Sequence, residues 1–243
     1  MRYSFRFRAI PFVATVLLVA LGVSLGQWQD RRGALKTALQ DKLSERGSAP
    51  ALVLGAQPTP ISAEQVEFRK VSVAGEFLPS WPLFIDNRPQ DGKVGFYLLM
   101  PFKIAGSDMH VLVARGWVPR YTGEHDRLPE FYTPKGTVIV TGVAKASVGK
   151  VMQLGQPAEV KPRAILQNLD PGQFASASKL AVQPFFIEQS VPVDEGDMLA
   201  RNWPAPSLGV EKHQGYAFQW YALAVMAFLF FVFTGFRRGT NKT

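Results

Sequence analysis

Two long uncharged apolar runs near the ends, short alternating segments between them, and basic clusters just outside each run predict a two-span membrane protein. The expected fold is two transmembrane α-helices, N- and C-terminal, flanking an extracytoplasmic α+β domain. Its sheet is expected to be antiparallel and barrel- or sandwich-like.

Residues 1–8 form a basic tail carrying Arg2, Arg6 and Arg8. Ala9–Gly26 (AIPFVATVLLVALGVSLG) is uncharged and long enough, at 1.5 Å per residue, to cross a hydrocarbon core of about 30 Å. A cleaved signal peptide is the competing reading, because Ser24-Leu25-Gly26 resembles a small-x-small site. A retained helix is favoured, since the run is long for a signal sequence and a helical pattern continues beyond it. In that extension, 27–47, Leu35, Leu39 and Leu43 recur every four residues and predict an amphipathic helix. Residues 48–64 (SAPALVLGAQPTPISAE) read as a Pro/Ala linker.

From there the period changes, and 65–212 read as a β-rich domain. Strands are expected at 66–77, 81–88, 95–102, 110–118 and 137–144, with a last one at 182–190. Gly, Pro, Asn and Asp separate them. The second span is placed at 213–236: Gln214–Phe236 has no formal charge, and aliphatic and aromatic residues cover every face from Tyr221 to Phe233. A basic tail, 237–243, closes the chain with Arg237, Arg238 and Lys242. Both tails lack acids, so both are expected in the cytoplasm with the central domain outside.

The net charge of +8 does not point to nucleic acid. The two short tails carry six of those eight charges, and the region between is nearly balanced. The absence of cysteine removes disulfides, thiolate zinc and copper sites, iron–sulfur clusters and the C-x-x-C-H haem attachment. No G-x-S-x-G elbow, P-loop or dinucleotide fingerprint is present, which leaves an anchored enzyme with no catalytic set. Of the three histidines, His110 lies in a strand-like run, and Glu124-His125-Asp126 reads as a solvated turn. Arg88 and Arg115, each near glycine and aromatics, are candidates to clamp a carboxylate or else to pair within the fold.

One stretch stands out, RNWPAPSLGVEKHQGYAFQW (201–220). On a helix His213, Tyr216, Ala217 and Trp220 share a face, with Gln219 one residue away. Such a face suits a planar ligand. For haem, His213 would be the iron's axial ligand, and Lys212 or Arg201 would meet the propionates. An interfacial belt of aromatic and polar residues explains the same pattern.

The chain resembles the Surfeit locus protein 1 family, assembly factors for haem-copper cytochrome c oxidase. Five ordered stretches carry the resemblance: LGQWQDRRGALKTAL, FRKVSVAGEF, IDNRPQDGKVGFYLLMPF, RGWVP and EKHQGYAFQWYALA. Gln219 stands where many members carry Thr. The resemblance implies a non-enzymatic factor that binds haem a transiently through His213, with Trp220 as its aromatic partner, and assists insertion into oxidase subunit I. The alternative it leaves is a scaffold that stabilises subunit I without cofactor. Haem a synthase and membrane lipid are further implied partners. With eight residues before Ala9, too few for an Arg-rich presequence, a bacterial plasma membrane is the expected location.

Overall fold

A computed structural model describes residues 3–5, 7–56, 59–121, 123, 127–153, 155–204 and 209–238. Two compact units divide the chain. One comprises Met1–Lys42 and Pro206–Thr243, the other Leu43–Ala205.

The first unit holds the two long helices. β1 (Tyr3–Phe5) precedes α1 (Ala9–Ser48), a continuous helix of 40 residues. Near the other end of the chain, α4 (Val210–Gly235) leads into β10 (Phe236–Arg238). Both helices are long and apolar enough to cross a membrane. Their large apolar side chains, among them Leu17, Leu21, Phe218, Val225 and Phe230, are mostly exposed, as a lipid-facing surface requires. β1 and β10 pair antiparallel, Phe5 opposite Phe236, so the outer ends of the two helices are held side by side.

The second unit contains β2 (Leu52–Leu54), α2 (Ala63–Val66), β3 (Lys70–Phe77), β4 (Leu83–Ile85), β5 (Gly95–Ile104), β6 (Met109–Pro119), β7 (Val138–Lys145), β8 (Ile165–Leu166), α3 (Pro171–Ser178) and β9 (Ala181–Gln189). The sheet order is β2-β3-β7-β9-β6-β5-β4-β8, and an additional β3–β5 pairing closes the middle five strands into a barrel. The expected antiparallel sheet is in fact mixed. The β2–β3, β4–β8 and β6–β9 pairs are parallel, the rest antiparallel.

Alternation along the strands sorts the apolar residues into two clusters. Val73, Leu98, Met100, Phe102, Val113 and Phe185 pack in one, and Leu83, Leu99, Leu112 and Phe186 pack with Phe174 of α3 in the other. α3 has a strong start: Asp170 caps it, Pro171 opens it, and Gln173 completes a capping box. The presumed linker at 48–64 is tied in as well. Leu52–Leu54 pairs with β3, Gln183 accepts a hydrogen bond from Ile61 N at 2.8 Å, and Arg46 donates to the carbonyls of Glu64 and Glu67.

A bulge decides what Arg115 does. Between β5 and β6, Leu98 faces Gly116 and Leu99 faces Ala114, so Arg115 is the extra residue. Its fully buried guanidinium lies 4.6 Å from the centre of the Phe77 ring and donates to Tyr132 O at 2.8 Å. Asp197, also buried, sits 3.6 Å from it as an ion pair and accepts hydrogen bonds from Arg201 and from Gln189 Nε2. Arg88 spends its guanidinium on the carbonyls of Asp86, Asn87, Gly149 and Gln167. Neither Arg88 nor Arg115 is available as a carboxylate clamp.

Charge burial gives this unit a pH dependence of defined sign. Burial pushes the Asp197 carboxyl up, but the Arg201 hydrogen bond and the Arg115 charge outweigh it and hold it below its ordinary 3.8. That stability is present above pH 3.8 and lost as pH falls through the lowered value. Burial lowers His110 below its ordinary 6.5, against the pull of its bond to Ala181 O, so its contribution also fades on acidification below that pH. Glu188, raised above 4.5 by burial despite Lys145, works the other way. Asp197→Asn should cost about 3–5 kcal/mol, because it leaves Arg115 buried without its counter-charge. Urea midpoints followed by tryptophan fluorescence test this. The stability difference between wild type and His110→Gln should change with pH only below about 6.5.

Candidate functional site

Within the helical unit, α1 and α4 meet along faces of small residues. Gly22, Gly26, Gln29 and Gly33 fall on one stripe of α1. The facing stripe of α4 carries His213, Ala217, Trp220 and Ala224, with Ala217 and Ala224 buried. A Cβ on Gly22 would lie 3.0 Å from both Trp220 O and Ala224 Cβ, and one on Gly26 would reach within 2.5 Å of the Tyr221 ring. The approach therefore requires glycine at both positions, in the small-x-x-x-small manner of membrane helix pairs. At the other end of the stripe, Gly33 is 3.7 Å from His213 Cβ, measured from where its own Cβ would stand. The register runs antiparallel.

Two polar contacts cross this seam. His213 Nδ1 donates to Gln29 Oε1 at 2.7 Å, and Tyr221 OH donates to Asp30 Oδ2 at 2.7 Å. Because an amide oxygen only accepts, the neutral His213 ring carries its proton on Nδ1, leaving the Nε2 lone pair for another partner. Metal-binding histidines are commonly held in this way by an acceptor on the far nitrogen.

The expected site residues are thus only partly brought together. His213 is half-buried at the seam and gains Gln29. Trp220, also half-buried, lines an apolar groove of about 640 Å³ with Leu18, Leu21, Gly22, Leu223, Met226 and Phe230 among others. Tyr216, Gln219 and Lys212 are exposed on α4 and make no shared cluster with them. Part of the surface between His213 and Trp220 is filled by packing, with Ala217 only 3% exposed, so that face is not an open platform for a planar ligand. Arg201 is committed to Asp197 in the other unit. Lys36 brings its ammonium to 3.7 Å from a Cβ built on Gly209, the N-cap of α4, and is a second cation beside this helix end. Glu124, His125 and Asp126 lie outside the described residues.

Sequence reasoning missed Gln29, Asp30 and the glycine stripe. The signal was there in Gly22-x-x-x-Gly26 and in a glutamine three residues after a span. The leucine pattern foretold the helix that continues to Ser48, but within it Leu35 is 67% exposed, on the opposite face from the glycines, while Leu39 and Leu43 are half-buried.

A donor test separates a bare ion from haem. Among the described residues no group of three or more metal-ligating side chains gathers. A tetrapyrrole brings four nitrogens of its own and asks the protein for as few as one, and a neutral His213 has the right kind of atom for that in Nε2.

Residues 16–225, most of the chain, match the SURF1 family. The chain belongs to the SURF1 family. Among curated relatives, the cytochrome oxidase assembly protein SHY1 of Saccharomyces cerevisiae is 34% identical over 94 residues, 39% of this chain and 24% of that protein. A SURF1-like protein of Rickettsia felis is 24% identical over 224 residues, 86% of this chain and 90% of the relative. A SURF1-like protein of Caenorhabditis briggsae is 27% identical over 161 residues, 57% of this chain and 50% of the relative. The match thus spans about a quarter of the yeast protein, half of the nematode one and nearly all of the rickettsial one. In this SURF1 member His213 and Gln29 both fall inside the family match.

The helix register is directly testable because the chain has no cysteine. The 3.7 Å separation at positions 33 and 213 suits a disulfide, whose Cβ atoms lie about 3.5–4.5 Å apart. Gly33→Cys with His213→Cys should oxidise to an intramolecular disulfide, seen as a reductant-sensitive mass loss of two hydrogens. The pair Leu35→Cys with His213→Cys, on mismatched faces, should stay reduced.

Proposed function

We propose that this protein is a membrane-anchored, non-enzymatic assembly factor for haem-copper cytochrome oxidase that holds haem a transiently and hands it to subunit I. The observation that carries the reading is the His213–Gln29 pair, which orients the imidazole at the head of an apolar helix and, in the neutral ring, places the proton on Nδ1 and the lone pair on Nε2. Family membership and the assembly role in the name of the yeast relative support the oxidase as target.

On this reading His213 Nε2 would hold the iron, Gln29 would orient the ring, and Lys212 and Lys36, at the same helix end, would meet the propionates. When bound, the haem contributes its iron as the acceptor of one protein ligand and nothing else is asked of it. A single axial histidine gives retention with reversibility, as a donor to another protein requires. The spans sit in the bacterial plasma membrane, with both termini cytoplasmic and the β-barrel unit periplasmic. Haem a synthase is the supplier and subunit I the recipient; membrane lipid surrounds the spans.

A cofactor-free scaffold for subunit I is the second reading, favoured by the close packing around Ala217 that occupies part of the expected ligand face. One experiment separates the two. Protein purified in detergent from cells that make haem a should show a Soret band, and His213→Ala should lose at least about 90% of it, a tenfold weakening or more. No Soret band in the wild type, with oxidase maturation still dependent on the protein, would favour the scaffold.

A further inference from the structure

The apolar groove between α1 and α4 lies near the His213–Gln29 pair but is not part of it. Its lining starts at Trp220, seven residues or about 10 Å along α4 from His213, and runs to Phe230, about 15 Å further. On α1 it is matched by Thr15 to Gly22. The lining residues recur at helical spacing on both walls, so the groove follows the helix axes, elongated rather than disc-shaped. Thr15 brings one of its few side-chain polar atoms, and that hydroxyl is already bonded to Pro11 O at 2.8 Å. Nothing along it is charged, so a headgroup, a propionate or a peptide backbone would be left unsatisfied there.

We propose that this groove receives the isoprenoid chain of a farnesylated haem, making Trp220, Met226 and Ala227 part of what distinguishes haem a from haem b. The inference rests on the haem-holding reading above. Three observations commit the groove to this occupant rather than to a third helix or a bulk lipid. Its nearer end is at Trp220, about two turns from His213, within the span of a ring substituent. Its axis continues away from that ligand into the apolar depth of the span. Its length, about ten helical residues, is that of a farnesyl-sized chain. Because such a chain otherwise rests in lipid tails as apolar as the groove, the gain comes from packing rather than from leaving water, and the discrimination is modest.

The full-length protein, cofactor-free in lipid nanodiscs, is titrated with haem b, which has no isoprenoid chain, and with haem o, which has the chain but not the formyl group. Soret changes should give about tenfold tighter binding of haem o. Ala227→Phe, which fills the groove, should bring the ratio to about one while leaving haem b affinity unchanged. Val225→Phe, on α4 but outside the groove lining, should change neither. Equal affinities in the wild type, or equal weakening of both haems by Ala227→Phe, overturn the proposal and leave the axial reading standing. A photoreactive farnesol probe gives a measurement that does not depend on iron. Labelling confined to residues 15–22 and 220–230, lost in Ala227→Phe, supports the groove even if neither haem binds, in which case the axial reading alone falls. Labelling spread along the lipid face, or displaced equally by dioleoyl phospholipid, marks an ordinary lipid slot and overturns it.

Discussion

The helical unit depends on how closely two backbones approach at Gly22 and Gly26. Any side chain there would meet Trp220 O, Ala224 Cβ or the Tyr221 ring at 3.0 Å or less. With lipid outside and no water to expel, association of the two helices rests on that close fit and on the polar contacts it permits. The His213–Gln29 and Tyr221–Asp30 bonds are those contacts, and both need the short interhelical distance that the glycines provide. A histidine placed at a helix head by sequence alone would be one of many interfacial side chains. Locked by Gln29 in one tautomer, it becomes a directed donor.

The barrel unit solves a different problem. Its bulge drives a guanidinium into a core of Phe and Met, where it must be neutralised, and Asp197 with Arg201 does so from a segment outside the strands. Buried pairs of this kind add little net stability compared with apolar packing, but losing one partner is costly. They therefore fix position. Asp197 holds the stretch leading out of the barrel, where the Trp117–Ala200 bridge and the Trp203 bond to Gln189 O hold it again. Arg88 does the equivalent for the 149–167 region through its carbonyl contacts. The two arginines that looked most like ligand clamps are spent on architecture.

The spans, the closed β unit and most of its strands were legible because they rest on periodicity and on long apolar runs. Strands 95–102, 110–118 and 137–144 match β5, β6 and β7 to within two residues. β2 was lost because three residues in a Pro/Ala stretch carry no period, and its parallel partner is fixed by tertiary packing. α3 was missed although Asp170-Pro171-Gly172-Gln173 spells a capping box, since eight residues fall below the length at which an apolar stripe is visible. At the candidate site, His213 and Trp220 were legible from α4 alone. Their partners were not, because Gln29 and Gly33 lie some 180 residues away and only helix register brings them together.

The claim on which the account turns is that His213 Nε2 is the donor to iron. Resonance Raman spectroscopy of the ferrous, haem-loaded protein reads that bond itself. The account predicts an iron–histidine stretching mode in the wild type, shifted in Gln29→Leu, where the ring loses its acceptor, and absent in His213→Gly until free imidazole restores it. A mode that persists unchanged in His213→Gly would contradict it.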